Sequence, residues 1–432
     1  MALSADPRRR ERVVRHRAHC ADRLGPLAFI QSKRRSQLTS STPIKCDLLL
    51  KGGHVIDPVN GIDGPMDVAV SGIKIAAVNP DIPSNSASRV ADVSGCYVTP
   101  GLIDLHAHSW GSVAAMFPDE MCLPYGVTTM LDAGGSGWRN FDDFRNARIV
   151  PAVTRVFALL NIVGAGMAGD DDEQNVSDMD AGATAEKILE RRDIVVGIKT
   201  AHFRGPGWEN VDRALEAAER SGTWVMVDQN AVETRTTDQL LEKLRPGDVA
   251  THCFAWNKPI IGDDGQVKSH FREARDRGVQ FDVGSGNNSF SFAMAKPSIE
   301  QGFLPNTIST DTRRKSLLST FATMPETMTK LLAIGMSLTD VVERSTIAPA
   351  RQLGHPELGS LSVGADADIA VLELSTGSFG LTDGGRTGFR VMHADRRLVP
   401  QMTVREGVVA WDLNGRSHEH WTNTPPPDNR LP

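Results

Sequence analysis

The chain has 432 residues, 40% of them hydrophobic and 23% charged, an ordinary balance for a globular protein with room for one large domain and a smaller one. No apolar stretch approaches the roughly 20 residues that would span a bilayer, so no membrane segment is expected. Five scattered cysteines (Cys20, Cys46, Cys96, Cys122, Cys253) without a CxxC pair argue against a disulfide framework and a cysteine-built zinc site, and for a reducing, cytoplasmic setting.

The net charge of -6 is uneven, since residues 1–43 hold ten Lys/Arg against three Asp/Glu and the remainder carries -13. This basic head (Arg8, Arg9, Arg10, Arg12, Arg15, Arg17) lacks a secretory apolar core and the aromatic interleaving of single-strand binders. It reads as a disordered extension over 1–45, with no nucleic-acid partner expected. From Cys46, residues 47–51 form a strand, Gly52-Gly53 a turn and 54–58 a second strand; 66–70 and 74–78 flank Ser71-Gly72 as a hairpin.

From Gly101 short apolar strands alternate with amphipathic helices, the pattern of parallel βα units. Strands are predicted at 102–106, 127–131, 156–163, 194–199, 224–228, 249–252, 279–283 and 307–311, and Gly222, Gly247, Gly278 and Gly302 stop four helices just before strands. Eight such units over about 250 residues suit a TIM barrel, although an open doubly wound sheet would give a similar string. Helices follow at 326–335 and 337–353, then strands at 359–361, 367–374 and 401–412. The expected fold is α/β: a (β/α)8 barrel over 101–354, a small β-sandwich domain built from both ends of the chain (46–100 plus 355–415), and a tail from 416 to 432.

His106-Ala107-His108 closes the first barrel strand, and the two-residue period of an extended chain sends both imidazoles to one side. Barrel active sites lie at the C-terminal strand ends, where this sequence also places Lys199, Asp228, His252 and Asp311. These residues form a donor set suited to zinc or a similar divalent ion. Taken singly, His252 with Cys253 reads rather as a buried pair satisfied by backbone, and Lys199 with Asp228 can be an ion pair across neighbouring strands. Their joint occurrence at successive strand ends favours a site.

The segment Val98-Thr99-Pro100-Gly101-Leu102-Ile103-Asp104-Leu105-His106-Ala107-His108 resembles the first-strand signature of the amidohydrolase superfamily, and residues 357–372 resemble its returning β segment. Val196-Gly197-Ile198-Lys199, Thr251-His252-Cys253-Phe254, Phe281-Asp282-Val283-Gly284 and 302–311 look most like its deacetylase-type, dihydroorotase-like members. The resemblance covers nearly everything from Cys46 to Gly415. It implies that His106 and His108 hold a first metal, that an N6-carboxylated Lys199 bridges two, that His252 binds the second, and that Asp311 is ligand and catalytic acid/base. Asp228 stands where many relatives carry histidine, and remains a ligand candidate.

Two further departures fall on the substrate side. Ser285 lies between glycines where the family typically has histidine, and Arg313 stands where a histidine usually follows the aspartate. Ser285 can donate a hydrogen bond, and Arg313 or Arg314 can clamp a carboxylate. His202, in the loop after the fourth strand, is a further candidate for substrate contact. The implied function is hydrolysis of an amide or ester bond in a small molecule, of deacetylase type, by metal-activated water with one or two ions, zinc being the metal the resemblance implies; a homo-oligomer is compatible. The alternatives are a cyclic amidase of dihydroorotase or hydantoinase type, and a silent relative acting as a ligand-binding or scaffold protein.

Overall fold

The computed structural model describes residues 45–111, 115–169, 171–230, 234–385 and 388–423. All lie in the second of two compact units, Pro43–Pro432; the basic head, with Cys20, and the end of the tail fall outside the described residues. No helix among them is long and apolar enough to cross a membrane.

β1 (Cys46–Asp57) pairs antiparallel with β2 (Ile62–Ser71), which turns at Gly72 into β3 (Lys74–Asn79); β4 (Ala87–Asp92) and β5 (Tyr97–Pro100) lie parallel to β1. The turn expected at Gly52-Gly53 is instead a bulge inside one continuous strand. Gly52 takes φ 80°, the register slips between Leu50 and Gly53, and the Gly52 N–H donates to Asp67 Oδ1 at 2.8 Å. A glycine pair supplies the left-handed residue a bulge needs as readily as one a turn needs.

β6 (Leu102–Ala107), β7 (Val127–Gly137), β8 (Arg155–Asn161), β9 (Val195–Ala201), β10 (Trp224–Asp228), β11 (Val249–Ala250) and β12 (Gln280–Phe281) form a parallel sheet in chain order. It closes through residues 307–312, which bridge Asp282, just past β12, at Thr307 and Ala107 of β6 at Thr312. This eighth segment is not the regular strand expected, and the sixth and seventh strands are shorter than expected. The reason is local: His252 and Asp311 take φ 60° and 50°, and Gly284 takes 49°, so each extended run breaks where its site residue begins.

Helices pack outside by apolar spacing. Glu209–Ser221 buries Val211, Ala214, Ala217 and Ala218 and stops at Gly222, whose left-handed φ of 69° ends the helix. One core cluster joins Ile103, Leu105, Leu159, Met226 and Val249 to Ile347, Ala350 and Leu353 of the helix Ile347–Leu353, which plugs the end where the strands begin. The single helix expected over 337–353 is split into Leu338–Glu343 and Ile347–Leu353. Pro349 has no N–H to bond the carbonyl four residues back, that of Ser345, and this carbonyl accepts from Ile103 N of the barrel instead (2.8 Å).

The chain returns as β13 (Ile369–Gly385), β14 (Gly388–Arg405) and β15 (Val408–Asp412), giving an eight-stranded mixed sheet in the order β15-β14-β13-β5-β1-β2-β3, with β4 on β1. Its strands come from both ends of the chain. β13 and β14, of 17 and 18 residues, run far past the expected strands. The added stretch is largely exposed and polar, so it carries no apolar run to mark it. Its far end reaches the loop after β12, where Gly384 N donates to Phe290 O (3.0 Å) and Phe292 N to Asp383 Oδ2 (2.8 Å).

Candidate metal centre

The C-terminal strand ends bring His106, His108, Lys199, His252 and Asp311, all buried, into one group with the partly buried Asp228. Three of them, His106, His108 and Asp311, offer ligand atoms that all lie within 4.8 Å of one another. His108 Nε2 is 3.0 Å from Asp311 Oδ1, and His106 Nε2 is 3.9 Å from the same oxygen.

Hydrogen bonds behind the imidazoles fix which nitrogen faces the site. The Thr251 hydroxyl donates to Asp282 Oδ2 (2.8 Å), so its oxygen accepts from His106 Nδ1 (2.9 Å) and His106 Nε2 keeps its lone pair. Burial, with Lys199 nearby, drops the His106 pKa to about 3, so this ring is a neutral donor. His252 Nδ1 bonds Gly284 O at 2.7 Å, which turns Nε2 toward Asp228 Oδ2 at 3.2 Å. Thr307 and Ser309 add hydroxyl donors to Asp282, each at 2.7 Å. Outer partners of this kind orient metal-binding histidines.

The donor set fits a divalent ion: two imidazole lone pairs and a carboxylate converge in a buried pocket, and His108 Nδ1 is buried without a hydrogen-bond partner. Burial works against ionisation of Asp311, but His108 and the Arg313 guanidinium hold its pKa well below the carboxylate range. The Lys199 amine is wholly buried, 2.9 Å from His106 Nε2 and 3.6 Å from Met226 Sδ, and burial lowers its pKa. The ion pair with Asp228 that β9 and β10 would allow does not form. Asp228 instead meets Lys258 (3.2 Å), His252 (3.2 Å) and His202 (3.4 Å).

His202, at φ 53°, stands between Asp228 and Glu173 (2.7 Å). Burial opposes its charge, but hydrogen bonds to both carboxylates raise its pKa to about 10, making it an imidazolium. Glu173 also accepts from Asn161 Nδ2 at 3.1 Å. Glycines make room at the closest approaches: a Cβ on Gly134 would sit 2.5 Å from Lys199 Cβ, and one on Gly286 would sit 2.1 Å from Asp311 Oδ2.

A cavity of about 240 Å³ opens over this group, lined among others by His108, His202, Asp228, His252, Asp311 and Arg313. Arg313 makes no ion pair among the described residues, and its Nε is buried without a partner. Ser285 is placed elsewhere: it is 1% exposed, its hydroxyl meets Thr327 Oγ1 at 2.8 Å, and it does not line the cavity. Lys258 and Glu173 are site residues that the strand-end rule missed. Lys258 lies six residues past His252 in a loop, and Glu173 is hidden in the acidic run Asp170-Asp171-Asp172-Glu173, so neither carries a local signal. Asp282 and Thr251 lie in segments whose resemblance was legible, without a role attached.

A parallel barrel with buried histidines and carboxylates at its C-terminal mouth defines a metal-dependent hydrolase by fold and site. Comparison with known proteins narrows this. Residues 291–409 match the model of the amidohydrolase family. The chain is similar to a deacetylase of Enterococcus faecalis, 33% identical over 350 residues that cover 78% of this chain and 92% of that protein. It is also similar to a deacetylase of Agrobacterium fabrum, 31% identical over 80% of this chain and 87% of the other. Among solved structures, an adenine deaminase superimposes with TM-score 0.79 at 30% identity, covering 85% of this chain and all (100%) of that one. A dihydroorotase gives TM-score 0.73 at 30% identity over 84% and 98%. The chain belongs to the amidohydrolase superfamily, as a metal-dependent hydrolase acting on carbon–nitrogen or ester bonds.

Proposed function

We propose that the protein is a deacylase that removes an acyl group from the nitrogen or oxygen of a small amino or hydroxy acid. The observation that carries this reading is the meeting of the His106, His108 and Asp311 cluster with the unpaired Arg313 at one cavity. The deacetylases of Enterococcus faecalis and Agrobacterium fabrum support the acyl-transfer chemistry. In this reading residues 101–354 carry catalysis, and the sheet from 46–100 and 355–415 supports it.

His106 and His108 would hold a zinc ion, with Asp311 as a third ligand, and Lys199, His252 and Asp228 stand where a second would be held. A bound divalent ion supplies Lewis acidity, polarising a carbonyl and making water acidic near neutrality. Asp311, kept ionised, takes the proton of the attacking water and returns it to the leaving nitrogen or oxygen. Arg313 pairs with the substrate carboxylate and fixes the scissile bond over Asp311. His202, already held between two carboxylates, donates to the substrate edge. The Lys199 amine is buried with no carboxylate at ion-pair distance among the described residues; as a neutral amine it can attack carbon dioxide and lose a proton, giving a carbamate with two ligand oxygens. The four cysteines among the described residues are buried free thiols, which fits a reducing, cytoplasmic setting.

Metal analysis and turnover on N-acetyl amino acids and O-acetyl hydroxy acids test the proposal. Chelation is expected to abolish turnover and zinc to restore it; full activity in protein stripped of metal would overturn the mechanism. The likeness to a dihydroorotase favours ring opening as a second reading, and turnover of cyclic ureides with none of the acyl acids would select it.

A further inference from the structure

At the end of the barrel where the strands begin, opposite the metal centre, lies a cavity of about 570 Å³. Three arginines line it, Arg275, Arg344 and Arg351, against the single carboxylate of Glu343, and Leu304 and Ala348 give it apolar wall. Arg275 is held in place before any ligand arrives: its guanidinium lies 3.4 Å from the centre of the Phe303 ring and donates to Leu304 O at 2.5 Å. Its Nε is buried without a partner, as is that of Arg344. Arg344 reaches Asp340 and Glu343 only at 3.5 and 3.9 Å, while its carbonyl accepts from Ile308 N (2.9 Å) and ties it to the barrel. Arg351 is exposed and makes no ion pair among the described residues.

Burial, together with the charges of Arg344 and Arg272, presses the Arg275 pKa down to about 10. Gathered cations of this kind, in a chain whose net charge is -6, repel one another until an anion enters. Guanidinium forks match phosphate oxygens in pairs, and the volume lies within the range of small-molecule sites, roughly 300–1,000 Å³. We propose that this cavity binds a small phosphorylated molecule, with its phosphoryl group held between Arg275, Arg344 and Arg351. Thr307, on the cavity wall, and Asp311, in the metal centre, belong to the same closing segment of the barrel. Residues 307–311 therefore link this cavity to the metal centre through five residues of chain.

Calorimetric titration of the full chain with inorganic pyrophosphate tests this, after chelation so that no metal competes for the probe. Saturable binding is expected, weakened at least tenfold by Arg344→Gln with Arg351→Gln and unchanged by Arg313→Gln at the other mouth. Arg351→Gln alone, at an exposed position, should weaken it severalfold in a protein whose melting temperature is unchanged. Absence of saturable heat, citrate binding as tightly as pyrophosphate, or loss of binding in Arg313→Gln would each overturn the proposal.

Discussion

The site is assembled from residues whose charge states are set by what surrounds them. Asp311 is ionised because His108 and Arg313 outweigh its burial, and its carboxylate lies 3.0 Å from His108 Nε2 and 3.9 Å from His106 Nε2, the position the proposed acid/base needs. Asp311→Asn should leave the protein folded and lower kcat by about 10²–10⁴-fold, the usual range for a lost acid/base, as steady-state kinetics would show. His202 behaves in the opposite sense. Its folded pKa, about 10, lies above the ordinary 6.5, so its contribution to stability is complete below pH 6.5 and is lost as pH rises through 10. In metal-free protein, the melting-temperature gap between wild type and His202→Gln should be widest below pH 6.5 and close toward pH 10. A gap that widened with pH would refute the ion-pair account of His202.

At the scale of elements, strands stop where chemistry starts. His202, His252 and Asp311 all take positive φ, a conformation that costs about 1–3 kcal/mol each and that the surrounding hydrogen bonds sustain. Glycines serve this geometry in two distinct ways. At Gly286 the need is for space, because a Cβ would lie 2.1 Å from Asp311 Oδ2; Gly286→Ala should cut turnover about 100-fold by displacing the carboxylate. At Gly222 the need is conformational, with φ 69° and nothing within 4 Å of an added Cβ. Gly222→Ala should cost about 1 kcal/mol in urea denaturation and leave turnover unchanged.

The whole molecule is held together by charges as well as by apolar cores. Asp368, just before β13, accepts from Arg155 at the start of β8 and from Arg405 at the end of β14, so one buried carboxylate ties the barrel to the sheet. Asp366 joins it through Arg155 and Lys74. The repeated aspartates of Ala365-Asp366-Ala367-Asp368, met in the sequence as part of a resemblance, are here a structural clasp. Asp368→Ala removes the buried carboxylate of this cluster and leaves Arg155 with Asp366 and Glu406 and Arg405 with Glu406, and should lower stability by about 1–3 kcal/mol in equilibrium unfolding, with the metal content of the folded protein unchanged.

The parallel βα units, the helix-stopping glycines and the strand-end row His106, His108, Lys199, Asp228, His252 and Asp311 were determined by the sequence itself, because apolar period and strand direction are local properties, whereas closure of the sheet into a barrel rests on the bridges Asp282–Thr307 and Ala107–Thr312 between distant segments. Only the tertiary structure decided what each member of that row touches. Asp228 pairs with Lys258 and His202 rather than Lys199, Ser285 turns inward to Thr327, and Glu173 arrives from a distant loop. It also decided that residues 375–385 and 388–400 extend two long paired strands and that Pro349 divides a helix. These outcomes depend on contacts between residues far apart in the chain, so no local pattern encodes them. The two histidines fix where a metal can sit; the folded surroundings, through Thr251 and Asp282, fix which nitrogen of His106 faces it.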